Sequence, residues 1–414
     1  RSRAGCLRRD STTSLAGTGV STPRNHACAS TSGARGGGAP GGGASAGNAC
    51  VLATYGCMPV NDPSLFGQLP SLAFSPDSPL SIDYRHALRR PSWLLSFLSN
   101  CRAARVDHIA RSLAALLAHV DRGIDPLIAR ANANDLIVQN DALYVWSTEG
   151  GATQGRISST KRRALGVEME DLSAAQVRAL EPALTLPIAH GVRFAGARQV
   201  RDPQTLVRRL HDCFLRMGGV YKPVHVTQTI PHAEHVDVDW QGGSLRAAKV
   251  ALTAGAHSTT IKGTGAERLP LGVERGYSLT YPAHEGLLNR PVGWAEAGFY
   301  ATPMAKGLRL AGTVEIGARD TPPNPRRIAY LARRGAEMVG PLTGARHDWL
   351  GLRPTFPDAL PVIGHSPLSE RVLLGFGHQH LGLTLGGITG RILADLAAGE
   401  PFDADITPFA ATRF

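Results

Sequence analysis

The stretch that most constrains this chain lies in its last sixty-odd residues. Gly351-Leu-Arg-Pro-Thr-Phe-Pro-Asp-Ala-Leu-Pro-Val-Ile-Gly364 is followed by Val372-Leu-Leu-Gly-Phe-Gly-His-Gln-His-Leu-Gly-Leu-Thr384. An arginine in a proline-rich turn thus precedes an apolar strand over 371–376, a glycine-rich corner and a helix over 382–398 closed by Gly399. The Arg353 guanidinium stays charged at any working pH and offers a planar fork that matches a carboxylate. A helix starting near Gly382 would present free N–H groups and partial positive charge. Together they suit a cationic anchor beside a helix tip that faces an electron-rich ring.

Upstream, helical and strand signals alternate. Leucines, isoleucines and valines fall at helical spacing over 92–98 and 106–131, and 135–146 reads as a strand. Ser173 caps a helix through Leu184. Asp202 and Pro203 form a cap and first-turn proline for a helix to about Met217. Strands are expected at 235–240 and 244–252 around Gly242-Gly243, then at 273–281, 298–304 and 308–316. A helix is expected over 323–339. Alternation at both ends with a strand-rich middle implies an α/β cofactor domain interrupted by an antiparallel substrate domain.

Residues 1–42 differ from the rest. They are rich in Ser, Thr, Gly and Arg and have no apolar period, so they read as disordered, and they show no secretory apolar region. They carry six arginines against Asp10, a net +5 of the chain's +11. The remaining charge is spread without a basic block or aromatic interleaving, which argues against nucleic-acid binding. The six cysteines show no ligand spacing, so neither a disulfide framework nor a metal site is expected, and free thiols point to a reducing compartment.

The phrases around Arg353 and Gly375–Thr384 resemble the C-terminal part of FAD-dependent D-amino acid oxidases and dehydrogenases. The resemblance runs from near Gly43 onward. It implies an FAD-binding, Rossmann-like α/β domain from residues 43–60, 158–265 and 350–414. It also implies an α+β substrate domain from 61–157 and 266–349. The expected reaction is oxidative deamination of a D-amino acid to a 2-oxo acid, by hydride transfer from Cα to flavin N5. Glycine, sarcosine or a proline-type amine is the alternative substrate. Oxygen or a quinone would be the electron acceptor. The chain would be cytoplasmic, with peripheral association at the inner membrane face as an option.

Residue by residue, the resemblance puts Arg353 on the substrate carboxylate, with the Tyr300 hydroxyl beside it. Gly377, His378, Gly382, Leu383 and Thr384 would lie along the flavin ring, with His380 also lining it. Ser45, Asn48 and Ala49 would pass its pyrimidine side or reach phosphate and ribose. Thr253, Ala254 and Gly255 would meet the ADP part, and Val226 the adenine. Glu274-Arg-Gly-Tyr277 would bridge the domains, and Arg309 would face solvent or a carboxylate across the sheet. One departure stands out. Such proteins open with strand, Gly-x-Gly-x-x-Gly and helix around the pyrophosphate. Here Gly17-Thr-Gly-Val-Ser-Thr22 is the nearest echo, with Thr22 for the third glycine and no flanking strand or helix signal. That break suggests a frame change or faulty junction upstream of Gly43. It also implies a sheet missing a central strand, and a non-catalytic remnant without FAD as a further alternative.

Overall fold

The computed structural model describes residues 19–21, 26–29, 39–63, 78, 80–83 and 89–414. Two large sheets dominate. The first has the strand order Val220–Lys222, His26–Ala29, Gly19–Ser21, Lys249–Leu252, Ser369–Phe376, Val362–Ser366. Lys249–Leu252 and Ser369–Phe376 are parallel, as expected for a cofactor sheet. The slot beside Lys249–Leu252 is filled, so the expected loss of a central strand is corrected: Gly19–Ser21 lies there, antiparallel, with Gly19 opposite Ala251. The expected disorder of 1–42 is corrected to the same extent at 19–21, 26–29 and 39–42; its other residues lie outside the described ones.

The apolar helix Gly382–Ala398 follows the last parallel strand and crosses the helix Val120–Arg130. The crossing is close because both helices carry glycine at the contact. A Cβ on Gly387 would lie 2.8 Å from the backbone of Gly123 and Ile124. Ile124, Ile128, Leu385, Ile388 and Ile392 fill the core around it. The continuous helix expected over 106–131 is two helices, Ala103–Leu117 and Val120–Arg130. Likewise 135–146 holds two strands, Ile137–Gln139 and Ala142–Trp146, parted at Asp141 with φ 56.

The second sheet has nine strands among the described residues. Its path begins at His347–Thr355, then Gly272–Tyr281, Gly307–Ile316, Phe299–Met304, Val292–Trp294 and Ala142–Trp146. Side chains alternate between the two faces. Tyr277, Leu279, Tyr281, Leu308 and Leu310 point to one side, against Leu331 and Met338 of the helix Pro325–Val339. The opposite face carries Gly276, Ser278, Thr280, Arg309, Ala311 and Tyr300, paired across the strands. The expected strand over 244–252 divides in two. Gly243–Ala247 closes a small sheet with Val226–Pro231 and Val236–Trp240, and Lys249–Leu252 enters the cofactor sheet.

Candidate active site

Arg353 lies on the strand His347–Thr355 and not in a turn, which corrects the reading of its proline context. Pro354 is tolerated because this strand forms the edge of the sheet. Arg353 stands opposite Glu274, and Gly351 opposite Gly276. The guanidinium lies over Gly276, where a Cβ would come within 2.6 Å of its Cζ. Nη1 donates to the carbonyl of Thr313 at 3.0 Å. Burial pushes the Arg353 pKa down, and Glu274 opposes this by its charge. Among the described residues no carboxylate is in ion-pair contact with it. Burial in turn raises the Glu274 pKa, against the pull of Arg353 and a hydrogen bond from Thr355.

The corner 377–384 closes on this strand through a bridge between Thr355 and His378. Gly377 has φ 89, and a Cβ there would strike the Phe356 ring at 2.3 Å. Gln379 takes φ 51, a left-handed conformation uncommon for a residue with a Cβ. The helix Gly382–Ala398 has no side-chain cap on its first N–H groups. Gly382 is exposed. His380 is also exposed, yet its pKa is driven down to about 4 by desolvation, with Arg353 adding to the effect. His378 is likewise pushed to about 4 by burial, and its Nε2 sits 2.8 Å from the Thr389 hydroxyl.

The loop 43–50 lies against the polar face of the large sheet. The Trp349 indole wedges against Gly47, where a Cβ would fall 1.9 Å from Cε3. Asn48 is half-buried and its Oδ1 accepts the Cys50 N–H, which leaves its amide nitrogen to donate. Arg309 is half-buried, and its bonds go to neutral groups of the sheet and the 43–50 loop. It donates to the carbonyl of Asn48 at 3.1 Å and to Cys50 Sγ at 3.5 Å, and its Nε donates to Thr280. The Ala49 carbonyl accepts from Thr302, and the Ala53 N–H reaches the Thr384 hydroxyl at 3.0 Å. Ser45 sits in a short 3-10 turn over Ala44–Gly47. Cys50 has φ 67, and burial pushes its thiol up to about 11, so it is a protonated thiol at neutral pH.

Tyr300 comes from the same sheet face and hydrogen bonds Tyr55 through the two hydroxyls at 2.7 Å. Tyr144 meets Tyr300 edge-on at 5.2 Å, and Tyr55 stacks on Phe194 at 3.8 Å. Burial raises the pKa of both Tyr55 and Tyr300, so both hydroxyls are neutral. Tyr55, Tyr144 and Trp349 were not anticipated. Trp349 could have been: it shares the alternating face of Gly351 and Arg353. Thr253 follows the strand Lys249–Leu252 and packs beneath Gly375, and its Oγ1 is buried without a partner. Ala254 and Gly255 open a 3-10 helix there. Leu383 packs toward the helical core. Val226 is not brought to Arg353. It begins the small three-stranded sheet and packs with Phe356 and Phe376. Glu274-Arg-Gly-Tyr277 is tied internally: Arg275 pairs with Glu315 at 3.3 Å, and the Tyr277 hydroxyl donates to the same carboxylate at 2.5 Å.

These features test the fit of a flavin. The uncapped helix tip and the exposed Gly382 suit the ring end, and the orphaned Thr253 hydroxyl suits the ADP part. The pyrophosphate fingerprint does not: Gly19–Ser21 runs antiparallel to the strand that a fingerprint strand would parallel. A cofactor sheet with parallel central strands, joined to a large antiparallel sheet, is the build of a flavin-dependent oxidoreductase.

Residues 24–396 match the family described as DAO, FAD dependent oxidoreductase, and the chain belongs to that family with FAD as its cofactor. The match starts upstream of Gly43, earlier than the motif resemblance. A D-amino-acid oxidase of Bradyrhizobium diazoefficiens is 30% identical over 374 residues, 89% of either chain. A D-amino acid dehydrogenase of Paramagnetospirillum magneticum is 27% identical over 78% of either chain. In fold, the chain is similar to a glycine oxidase from Geobacillus kaustophilus: TM-score 0.68, 21% identity, covering 94% of this chain and 93% of the other.

Proposed function

We propose that the chain oxidises D-amino acids to 2-oxo acids, with Arg353 holding the substrate carboxylate. The observation that carries this reading is a desolvated guanidinium that, among the described residues, has one hydrogen bond and no contacting anion, placed beside the helix tip. Burying a charge without a close counter-ion costs several kcal/mol, and an arriving carboxylate offsets that cost. The Tyr300 ring lies over Gly293 on the next strand, against Tyr144 and Tyr55, so its hydroxyl serves that aromatic cluster while Arg353 carries the carboxylate. His378 and His380 are neutral above about pH 4, and the tyrosines and Cys50 are protonated. The site's role is therefore to position the substrate, which binds with its amine uncharged. The Cα–H is lost as the Cα–N bond becomes an imine, and water then releases ammonia and the 2-oxo acid. Bound FAD supplies the acceptor for the two electrons, and Gly377, Gly382, Thr384, Thr253 and the 43–50 loop would hold it.

Oxygen or a quinone would reoxidise the protein, in the cytoplasm or at the inner membrane face. The test is to mix FAD-loaded protein with paired D- and L-amino acids, glycine, sarcosine and proline. Bleaching of flavin absorbance and 2-oxo acid formation are then followed. Turnover of D-enantiomers supports the proposal. Reduction by glycine, sarcosine or proline alone, or by L-enantiomers alone, overturns it.

A further inference from the structure

The small sheet away from the flavin site carries a cluster the reaction does not use. His232, His235 and Asp237 each offer one ligand atom, and these atoms lie within 4.8 Å of one another. They sit at the turn joining Val226–Pro231 to Val236–Trp240. His232 Nε2 is 3.1 Å from Asp237 Oδ2, and His235 Nε2 is 3.6 Å from the same oxygen. In a tetrahedral zinc site with bonds near 2.0–2.1 Å, neighbouring ligand atoms stand about 3.3 Å apart. Two edges of the triangle already have that length. The imidazoles are stacked at 4.5 Å, with His235 Nε2 buried and short of a hydrogen-bond partner.

The backbone holds this arrangement in place. The His232 N–H donates to the His235 carbonyl at 2.8 Å, which closes the turn. Arg371, on the strand Ser369–Phe376, donates Nε to the Ala233 carbonyl at 2.7 Å. The turn is thereby pinned to the cofactor sheet, and the two rings cannot drift apart freely. The opposing feature is Arg246, directly across the hairpin, whose Nε donates to Asp237 Oδ1 at 3.1 Å. It occupies one carboxylate oxygen and leaves Oδ2 toward the histidines.

We propose that His232, His235 and Asp237 form a binding site for a divalent transition metal of the zinc class, with the remaining position taken by water. Two imidazoles and a carboxylate are a borderline donor set, suited to Zn2+, Ni2+ or Cu2+ and not to Mg2+ or Ca2+. The expectation from cysteine spacing that no metal site exists overlooked this turn, because His-x-x-His-x-Asp is informative only once the hairpin folds it back. The metal would staple two strands of the small sheet and would not touch the flavin.

The test is equilibrium dialysis of the full, chelator-stripped protein against Zn2+ alone at pH 7.5, with metal analysis. Wild type should retain one equivalent more than His232→Gln/His235→Gln. The double variant should lose at least tenfold in affinity for that equivalent. Arg246→Ala should tighten zinc binding severalfold, since it removes the competing cation, and a merely structural role for the turn would not produce that gain. Lowering the pH to 5.5 should release the metal, as protons compete for imidazole. Equal zinc retention by wild type and a folded double variant overturns the proposal, as does weakened binding in Arg246→Ala.

Discussion

Replacing Arg353 with Met would separate its role in binding from its role in folding. Among the described residues the guanidinium makes one hydrogen bond, to Thr313, and feels Glu274 from beyond ion-pair contact. Against a substrate carboxylate it can make two charge-assisted bonds, each about 1.5–3 kcal/mol. Their loss removes about 3–6 kcal/mol, roughly two to four orders of magnitude in kcat/KM at 1.36 kcal/mol per decade. Arg353→Lys keeps the charge but not the fork, so it should fall between, at roughly ten- to a hundredfold. Stability should change little. Methionine relieves a desolvated charge, while Glu274, already raised by burial, loses its cationic neighbour and protonates more readily. The assay is steady-state kinetics with a D-amino acid on protein of matched flavin absorbance, alongside thermal melts. A kcat/KM within about threefold of wild type at equal FAD content would falsify the assignment. A melting point that collapses together with flavin loss would make Arg353 structural instead.

Two further outcomes follow from packing and burial. At the helix crossing, Gly387→Ala should cost about 1–3 kcal/mol by overpacking, despite the roughly 1 kcal/mol that helix propensity favours alanine. At its neighbour Gly386, where a Cβ meets nothing within 4 Å, the same change should stabilise. Urea unfolding would show the opposite signs, and equal shifts would refute the close crossing. His378 is held neutral down to about pH 4, against about 6.5 when unfolded. The unfolded chain therefore binds the extra proton first. Stability is complete above pH 6.5 and is lost as pH falls toward 4, by up to about 3 kcal/mol. His378→Gln should flatten that slope, and a slope unchanged in the variant would assign it to other groups.

Much of the scaffold was legible because its signals are local. Asp202 does cap Pro203–Arg216, Ser173 forms a capping box with Gln176, and Gly399 with φ 80 closes Gly382–Ala398. What failed was longer in range. Ala118 and His119 carry no breaker, so the division of 103–130 into two helices could not be read. Pro354 gives the sequence around Arg353 the look of a turn, and only the edge position of the strand explains a proline there. Nothing in the neighbours of Arg309 reports that Asn48 and Cys50 lie across the fold. Tyr55 and Tyr144 come from segments far apart in sequence, so their meeting at Tyr300 left no pattern to read.

The polar face of the large sheet supplies the strongest physical reason to place the chemistry there. The strand Gly272–Tyr281 is buried along nearly all of its length. A strand buried on both sides ordinarily carries apolar residues on both. Here Tyr277, Leu279 and Tyr281 join the apolar cluster under Pro325–Val339, and the buried Arg275–Glu315 pair closes one end of that side. The other side presents Glu274, Gly276, Ser278 and Thr280, and the neighbouring strand adds Arg309 and Thr313. Glu274 Oε2, Ser278 Oγ and Thr313 Oγ1 are buried without partners. Thr313 also takes φ 56, a left-handed conformation that is strained for a β-branched residue, while its carbonyl receives Arg353. Each unmatched polar atom costs about 1–3 kcal/mol. A fold that wanted only stability would have filled this face with valine and leucine. A polar face kept at that cost is what a binding site requires, and Arg353 stands on it, next to the corner that Thr355 and His378 bridge.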